Sequence, residues 1–350
     1  MKLAMFTDIH FGARGNSQQH LDDCLEFIDW FCEQALQHNV DGVAFLGDWF
    51  ESRESIMLHT LNASHEAACR LNSLGVPVFF ITGNHDIRFK TSREVSSTII
   101  FSELSNFNVI RDTPFEVQMG KNKSVFMPFC FHEEYGENSN YINTFDYVFG
   151  HFEFKDFIVT GKTVKLEHGP DHKMFNQPKR IFSGHFHKRQ VEGNVCFIGN
   201  PFPTNYGDVM DTERGMCIFD TDTNKVSFLN FQGPSFYYSS LLDLIERVDF
   251  PPKSNVKCYV DVALSYSEIQ QIRDEYIKQF DLREFVVEDS FSATEMARQD
   301  GGVIEDVSRM STKDAVTKII SEKLELLNSS IDRTKLIEIF NRLEINGKNK

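Results

Sequence analysis

Five short clusters in this 350-residue chain carry groups suited to metal-assisted chemistry: Asp8 with His10, Asp48, Asn84 with His85, His151, and His185 with His187. Each stands at the end of an apolar run, beside glycine or another small turn residue. Side chains two apart on extended backbone share one side, so His185 and His187 offer two imidazoles together. Alone, a His-x-His pair is more often an exposed turn. It gains weight here from the four other apolar runs that end in ligand types. With His85 set aside, the remaining groups are two carboxylates, one amide oxygen and four imidazoles. That is more than one tetrahedral zinc ion takes. It suits two divalent ions sharing a carboxylate, and the mixture of oxygen and imidazole favours manganese, iron or zinc over calcium. Two ions about 3.5–4 Å apart can clamp the attacking and leaving oxygens of a phosphoryl transfer.

The elements that must position these groups are legible as periodicity. Lys2–Phe6 is a strand-like run ending in Thr7-Asp8-Ile9-His10. Leu21, Cys24, Leu25, Ile28, Phe31, Cys32 and Ala35 recur at helical spacing and predict a helix that Asn39 can close. Val43–Leu46 ends in Gly47-Asp48, a second helix is expected over 55–74, and Val78–Ile81 ends in Thr82-Gly83-Asn84-His85-Asp86. Three strand–loop–helix units in succession predict a parallel α/β start, with the polar clusters at the carboxyl ends of the strands. After residue 105 shorter strands are expected at 108–110, 115–119 and 124–127, then a polar loop over 133–140 and a buried strand ending in Gly150-His151. Residues 154–160 read as strand, 165–177 as loop, and 195–198, 215–219 and 226–231 as further strands.

Gly233-Pro234 and Pro251-Pro252 punctuate an expected linker region, followed by a strand–helix–strand unit over 256–287. The expected organisation is a catalytic domain at 1–235, a small capping domain at 236–292, a polar linker at 293–310 and a helical segment at 311–350. In that last segment Ile319, Ile320, Leu324, Leu336, Ile337 and Phe340 form apolar stripes. Helices this short need a surface to pack on, and the choice lies between their own domain and a partner protein.

Composition sets outer bounds. The net charge of −15, with no long run of like charges, gives no sign of a generic polyanion-binding surface, so contact with nucleic acid would have to be local or assisted by metal or a partner. Arg14, Arg53, Arg88, Lys90 and Arg93 follow the motif residues closely and are candidate phosphate contacts, or balance for nearby carboxylates. The seven cysteines are scattered, odd in number and without a C-x-x-C pair, which predicts free thiols in a reducing compartment. No signal peptide or membrane-spanning run is expected, which reads as a soluble cytoplasmic protein. His168 and His172 are expected at the surface.

The ordered set D-x-H, G-D, G-N-H-D, G-H, G-H-x-H over residues 8–187 resembles the calcineurin-type metallophosphoesterase superfamily. Within it the chain is similar to the SbcD-like double-strand-break nucleases, including those encoded by phages and so acting in the host cytoplasm. The resemblance implies an α/β (α+β) fold: a two-sheet metallophosphoesterase sandwich flanked by helices, with a small αβ cap and a C-terminal helical segment. It implies one metal held by Asp8, His10, Asp48 and His187 and another by Asp48, Asn84, His151 and His185, with Asp48 bridging. Manganese is the expected ion, with magnesium, iron or zinc as alternatives. His85 would face the scissile phosphate and protonate or stabilise the leaving oxygen. The implied partners are duplex DNA ends, an SbcC-like ABC-type ATPase bound through the C-terminal helices, and a second copy of the chain.

One position departs from the pattern. Archaeal and eukaryotic members carry a second histidine three residues after the bridging aspartate, where this chain has Glu51. In related protein phosphatases a carboxylate there orients the catalytic histidine, so Glu51 is expected to orient His85, with Asp86 as the competing partner and a solvated loop carboxylate as the bland alternative. The functional expectation is a DNA nuclease in recombination, repair and end processing. The alternatives are a phosphoesterase for a small molecule or phosphoprotein on the same metals, and a non-catalytic scaffold, which a full ligand set with an intact His85 disfavours.

Overall fold

The computed structural model describes residues 1–160, 164–209, 211–246, 249–260 and 266–289. The expected linker at 293–310 and helices at 311–350 lie outside the described residues. Among the described residues the fold is mixed α/β, built on two six-stranded sheets. In the first, Lys2–Phe6, Gly42–Phe45, Val78–Ile81 and Phe107–Ile110 are neighbours in that order and run parallel. Gly215–Asp220 adds antiparallel beside Lys2–Phe6, and Lys225–Asn230 closes that edge as the other arm of a hairpin. In the second, Arg180–Ser183 lies parallel between Val195–Phe197 and Tyr147–Gly150, with Asn122–Phe126 parallel beyond. Gln190–Glu192 and Phe115–Met119 form the antiparallel edges.

The central strands Gly42–Phe45, Val78–Ile81 and Tyr147–Gly150 are near-continuous apolar runs because both of their faces are buried. Successive side chains point to opposite faces, so each strand serves two cores. Leu3, Met5, Ala44, Leu46, Phe79 and Ile81 pack between the sheets against Phe126, Tyr147, Phe149 and Phe182. Ala4, Phe6, Val43, Phe45, Val78 and Phe80 turn the other way onto the helices Gln18–Gln37 and Leu58–Asn72, through Phe27, Phe31, Ala67 and Leu71. On the far side of the second sheet Val125, Val148, Ile181 and Phe197 meet Tyr135, Ile142, Phe154 and Phe175. The heavy phenylalanine content fills these three layers. Phe126, Phe149 and Phe182 make a stacked column, with ring centroids 4.6 and 5.5 Å apart.

Several local expectations are corrected. The stretch read as a polar loop over 133–140 is helical from Glu134 to Ile142. Only Tyr135 and Ile142 of that helix are buried, so its sequence lacks the apolar periodicity that marks longer helices. The second helix begins at Leu58 rather than near 55, because the Ser52 hydroxyl accepts from the N–H groups of Glu54 and Ser55 and holds that stretch in a turn. The linker region expected after Gly233 contains a strand, Ser235–Ser240, and a short helix, Leu241–Glu246. That strand pairs in parallel with Ser254–Val260, which continues through the helix Tyr266–Phe280 to Glu284–Asp289. Arg283 joins this three-stranded unit to the helix Gln18–Gln37 by a two-pronged contact with Asp23, at 2.7 Å for each bond. His172 is buried against Phe154 and Phe157, not at the surface, whereas His168 is exposed.

Candidate metal centre

The strand ends Phe6, Phe45 and Ile81 of the first sheet and Gly150 and Ser183 of the second all lead into one buried polar site. Backbone bonds stitch the ends together. Asp8 N–H donates to the Gly47 carbonyl at 2.9 Å, His10 N–H to the Asp48 carbonyl at 3.2 Å and Phe11 N–H to the Trp49 carbonyl at 2.7 Å. Side chains then cross between loops: His85 N–H donates to Asp48 Oδ1 at 2.8 Å, and His185 N–H to Asp8 Oδ2 at 3.0 Å.

Asp86 holds the loop that carries Asp48. Its carboxylate accepts from the N–H groups of Asp48, Trp49 and Phe50, each at 3.0 Å, and from Gly83 at 2.9 Å. This buried carboxylate is a brace rather than a partner of His85. Burial and the neighbouring Asp48 charge push its pKa up to about 6 against the pull of its backbone donors.

The backbone is strained where the predicted ligands sit. Asp8, His10, Asp48 and His185 have φ of 52°, 51°, 60° and 86°. Left-handed backbone costs a non-glycine residue about 1–2 kcal/mol, and such strain gathers where function requires it. Gly184 permits a close approach: a Cβ there would run into Thr7 Oγ1 and lie 2.5 Å from the Leu46 carbonyl oxygen and 2.8 Å from His151 Nδ1.

The seven predicted ligands fall into two groups that meet at Asp48. In one, His10 Nε2 faces His187 Nε2 at 3.1 Å, and Asp8 Oδ1 and Asp48 Oδ2 each lie 3.9 Å from His10 Nε2. In the other, Asn84 Oδ1 lies 2.9 Å from both His151 Nε2 and His185 Nδ1, and Asp48 Oδ2 lies 3.3 Å from His151 Nε2. His151 Nδ1–H donates to the Leu46 carbonyl at 2.7 Å, so in the neutral ring Nε2 is the nitrogen that carries the lone pair, turned toward the oxygens of Asn84 and Asp48. With protons on the imidazoles these contacts are hydrogen bonds; without them the same nitrogens and oxygens would face a shared cation. Asp8, His10 and His187, and separately Asp48, His151 and His185, have ligand atoms close enough to share one ion.

The electrostatics agree with that reading. Burial opposes charge on His10, but the Glu51, Asp48 and Asp8 carboxylates overcome it and lift the pKa to about 9. His151 behaves alike: burial lowers it, and Asp48 and then Asp8 raise it to about 9. Burial pushes Asp48 up, but the surrounding imidazoles of His151, His10 and His85 hold it well below the usual carboxylate range. Asp8 is raised by burial and by the Asp48 charge. His187 is held well below the usual value by burial and by charge on His10 and Arg214.

Glu51 differs from expectation. Its backbone carbonyl, not its carboxylate, meets His85, with His85 Nδ1 at 2.7 Å; the carboxylate Oε2 lies 2.8 Å from His10 Nδ1. The reason is local geometry: Glu51 N–H donates to the Phe11 carbonyl, which sets the residue beside the strand end carrying His10. Arg93 takes the second of its two expected roles, balance for a carboxylate, since it pairs with Glu134; it also donates to the Phe129 carbonyl and stacks on Phe131. Arg88 pairs with Glu54 at 2.9 Å. Sequence reading missed Glu153, whose Oε2 lies 3.6 Å from His185 Nε2; two residues past His151, nothing in its neighbours marks it. Among the described residues no helix is long and apolar enough to cross a membrane. All seven cysteines are free, five of them buried.

The family model described as calcineurin-like phosphoesterase matches residues 1–189, so the chain belongs to that family. It is a hydrolase of the phosphoesterase class. Exonuclease subunit 1 of Enterobacteria phage T4 is 28% identical over 232 residues, which is 65% of this chain and 67% of that protein. An archaeal phosphodiesterase of known structure matches with a TM-score of 0.37 and 14% identity, covering 66% of this chain and 100% of that one. A dimetal phosphatase from Danio rerio matches with a TM-score of 0.41 and 10% identity, covering 62% and 91%.

The raised histidines generate a test. Without metal, native His10 and His151 retain protons that the unfolded chain, with the ordinary histidine pKa of 6.5, releases. Their contribution to stability is complete below about pH 6.5 and is lost as pH rises through about 9. After exhaustive chelation the melting temperature should fall across that window. Added Mn²⁺ should remove the fall, because ions that displace protons bind better as pH rises. A chelated protein with a flat profile would contradict the coupling.

Proposed function

We propose that the chain is a metal-dependent DNA nuclease that hydrolyses phosphodiester bonds at duplex ends, using two divalent ions, with manganese preferred, that share Asp48. The observation that carries this reading is the meeting of two groups of ligand atoms at one buried carboxylate, with the His85 ring 5.0 Å from that of His10 and its backbone N–H on Asp48. One ion would be held by Asp8, His10, Asp48 and His187, the other by Asp48, Asn84, His151 and His185. When bound, such ions polarise the phosphate and make water nucleophilic at neutral pH.

The chain's own residues supply the rest. Donating its Nδ1–H to the Glu51 carbonyl fixes the His85 ring and leaves Nε2 as the nitrogen offered to substrate. Its N–H bond to Asp48 Oδ1 fixes its distance from the shared carboxylate. In protonated form His85 would donate from Nε2 to the leaving oxygen, and the strained, stitched loops would hold that geometry before substrate arrives. The similarity to a phage exonuclease subunit supports DNA as substrate and a partner subunit. We assign the partner as an SbcC-like ABC-type ATPase bound by residues 311–350, on the strength of their apolar stripes in the sequence.

His85→Ala is expected to retain both ions, read by mass spectrometry of the native protein, and to lose Mn²⁺-dependent cleavage of end-labelled duplex DNA by roughly 10²–10⁴-fold. Loss of an ion would make His85 a ligand and overturn the scheme. Wild-type protein that hydrolyses a small phosphodiester, yet leaves duplex DNA intact even with the ATPase, would favour the small-substrate phosphoesterase instead.

The partner assignment is tested by removing residues 311–350. The shortened protein should cleave simple DNA ends in Mn²⁺ and no longer co-purify with the ATPase subunit. Aggregation or unfolding of the shortened protein would place those helices in its own core.

A further inference from the structure

The imidazoles that turn one nitrogen toward the acceptor groups differ in what stands behind the other nitrogen. His151 Nδ1 rests on a backbone carbonyl, that of Leu46, at 2.7 Å. His185 Nε2 faces the Glu153 carboxylate at 3.6 Å, beyond hydrogen-bond range. His10 Nδ1 lies 2.8 Å from Glu51 Oε2, an ion-pair contact whose N–H is not well aligned on the oxygen. The Glu51 side chain is 45% exposed while that of His10 is 4% exposed. A carboxylate free to extend into water that instead lies against a buried ring contributes little as packing.

Glu51 also cannot drift. Its N–H donates to the Phe11 carbonyl at 3.1 Å and its carbonyl receives His85 Nδ1 at 2.7 Å. The three residues before it are held by the Asp86 carboxylate.

We propose that Glu51 is the positioning residue of His10. Its carboxylate, set against Nδ1, holds the proton on that nitrogen, favours the tautomer whose Nε2 lone pair points at His187, Asp8 and Asp48, and so strengthens divalent-metal binding at that group alone. The inference rests on the two-ion reading above. It makes the two positions unequal: a carboxylate stands behind one, a backbone carbonyl and a more distant carboxylate behind the other. A hydrogen-bonded partner behind a liganding histidine is typically worth about 10–100-fold in metal affinity.

The test is calorimetric titration of Mn²⁺ into the chelated full-length chain and its Glu51→Ala and Glu51→Gln variants. The wild type should bind two ions. Glu51→Ala should weaken one of them by about 10–100-fold and leave the other within about twofold. Glu51→Gln, whose amide oxygen can face the Nδ1–H from the same place, should recover much of the loss. The proposal is overturned if Glu51→Ala binds both ions with wild-type affinity, or weakens both equally. It is equally overturned if Glu51→Ala removes a third ion, because His10, Glu51 and His85 would then themselves be a ligand set. A wild-type chain that binds fewer than two ions contradicts the two-ion reading, and the proposal with it. That result is distinct from a variant that behaves like a two-ion wild type.

Discussion

Groups able to bind a cation are forced together in this protein. Asn84 Oδ1 has an imidazole nitrogen on each side at 2.9 Å, and His10 and His187 face each other through Nε2 at 3.1 Å. Asp8 and Asp48 are buried beside them. Such an arrangement repels itself unless positive charge lies between its members, and low-dielectric surroundings magnify both the repulsion and the relief. Protons on His10 and His151 relieve it in the absence of metal, and divalent ions relieve it more completely.

The rest of the fold can be understood as keeping those groups from escaping one another. Two sheets bury both faces of their strands, so the strand ends are fixed by three aromatic-rich cores. The ends are then tied by main-chain bonds between the loops after Phe6 and Phe45, by Asp86 across four N–H groups, and by His185 N–H on Asp8. Left-handed backbone at four of the predicted ligands is tolerated because these ties over-determine it. Each tie costs local stability or requires a particular neighbour, and together they hold the site ready before metal or substrate binds.

Much of this was legible in the sequence, for a physical reason. A strand buried on both faces must be apolar throughout, so its end is marked sharply when the chain turns polar, as at Phe6-Thr7-Asp8 and Phe182-Ser183-Gly184-His185. The glycines beside the ligands mark close backbone approach, and Gly184 against Leu46 and His151 bears that out. What was not legible depends on residues brought together from far apart. Glu51 was expected on His85 because only chain separation and family pattern were at hand, and the three-dimensional neighbour of its carboxylate is His10. Glu153 behind His185, the occupation of Arg93 by Glu134 and Phe129, and the burial of His172 under Phe154 and Phe157 are likewise tertiary facts. The helix Glu134–Ile142 escaped notice because its mostly polar sequence rests on the core through only two buried side chains.

The central claim is that the two acceptor groups hold two ions with Asp48 between them. The most direct measurement is anomalous diffraction from crystals of the full chain grown with Mn²⁺. The account predicts two anomalous peaks about 3.5–4 Å apart. One should lie among Asp8, His10 and His187, the other among Asn84, His151 and His185, with Asp48 reaching both. A single peak, or two peaks that Asp48 does not join, would contradict it.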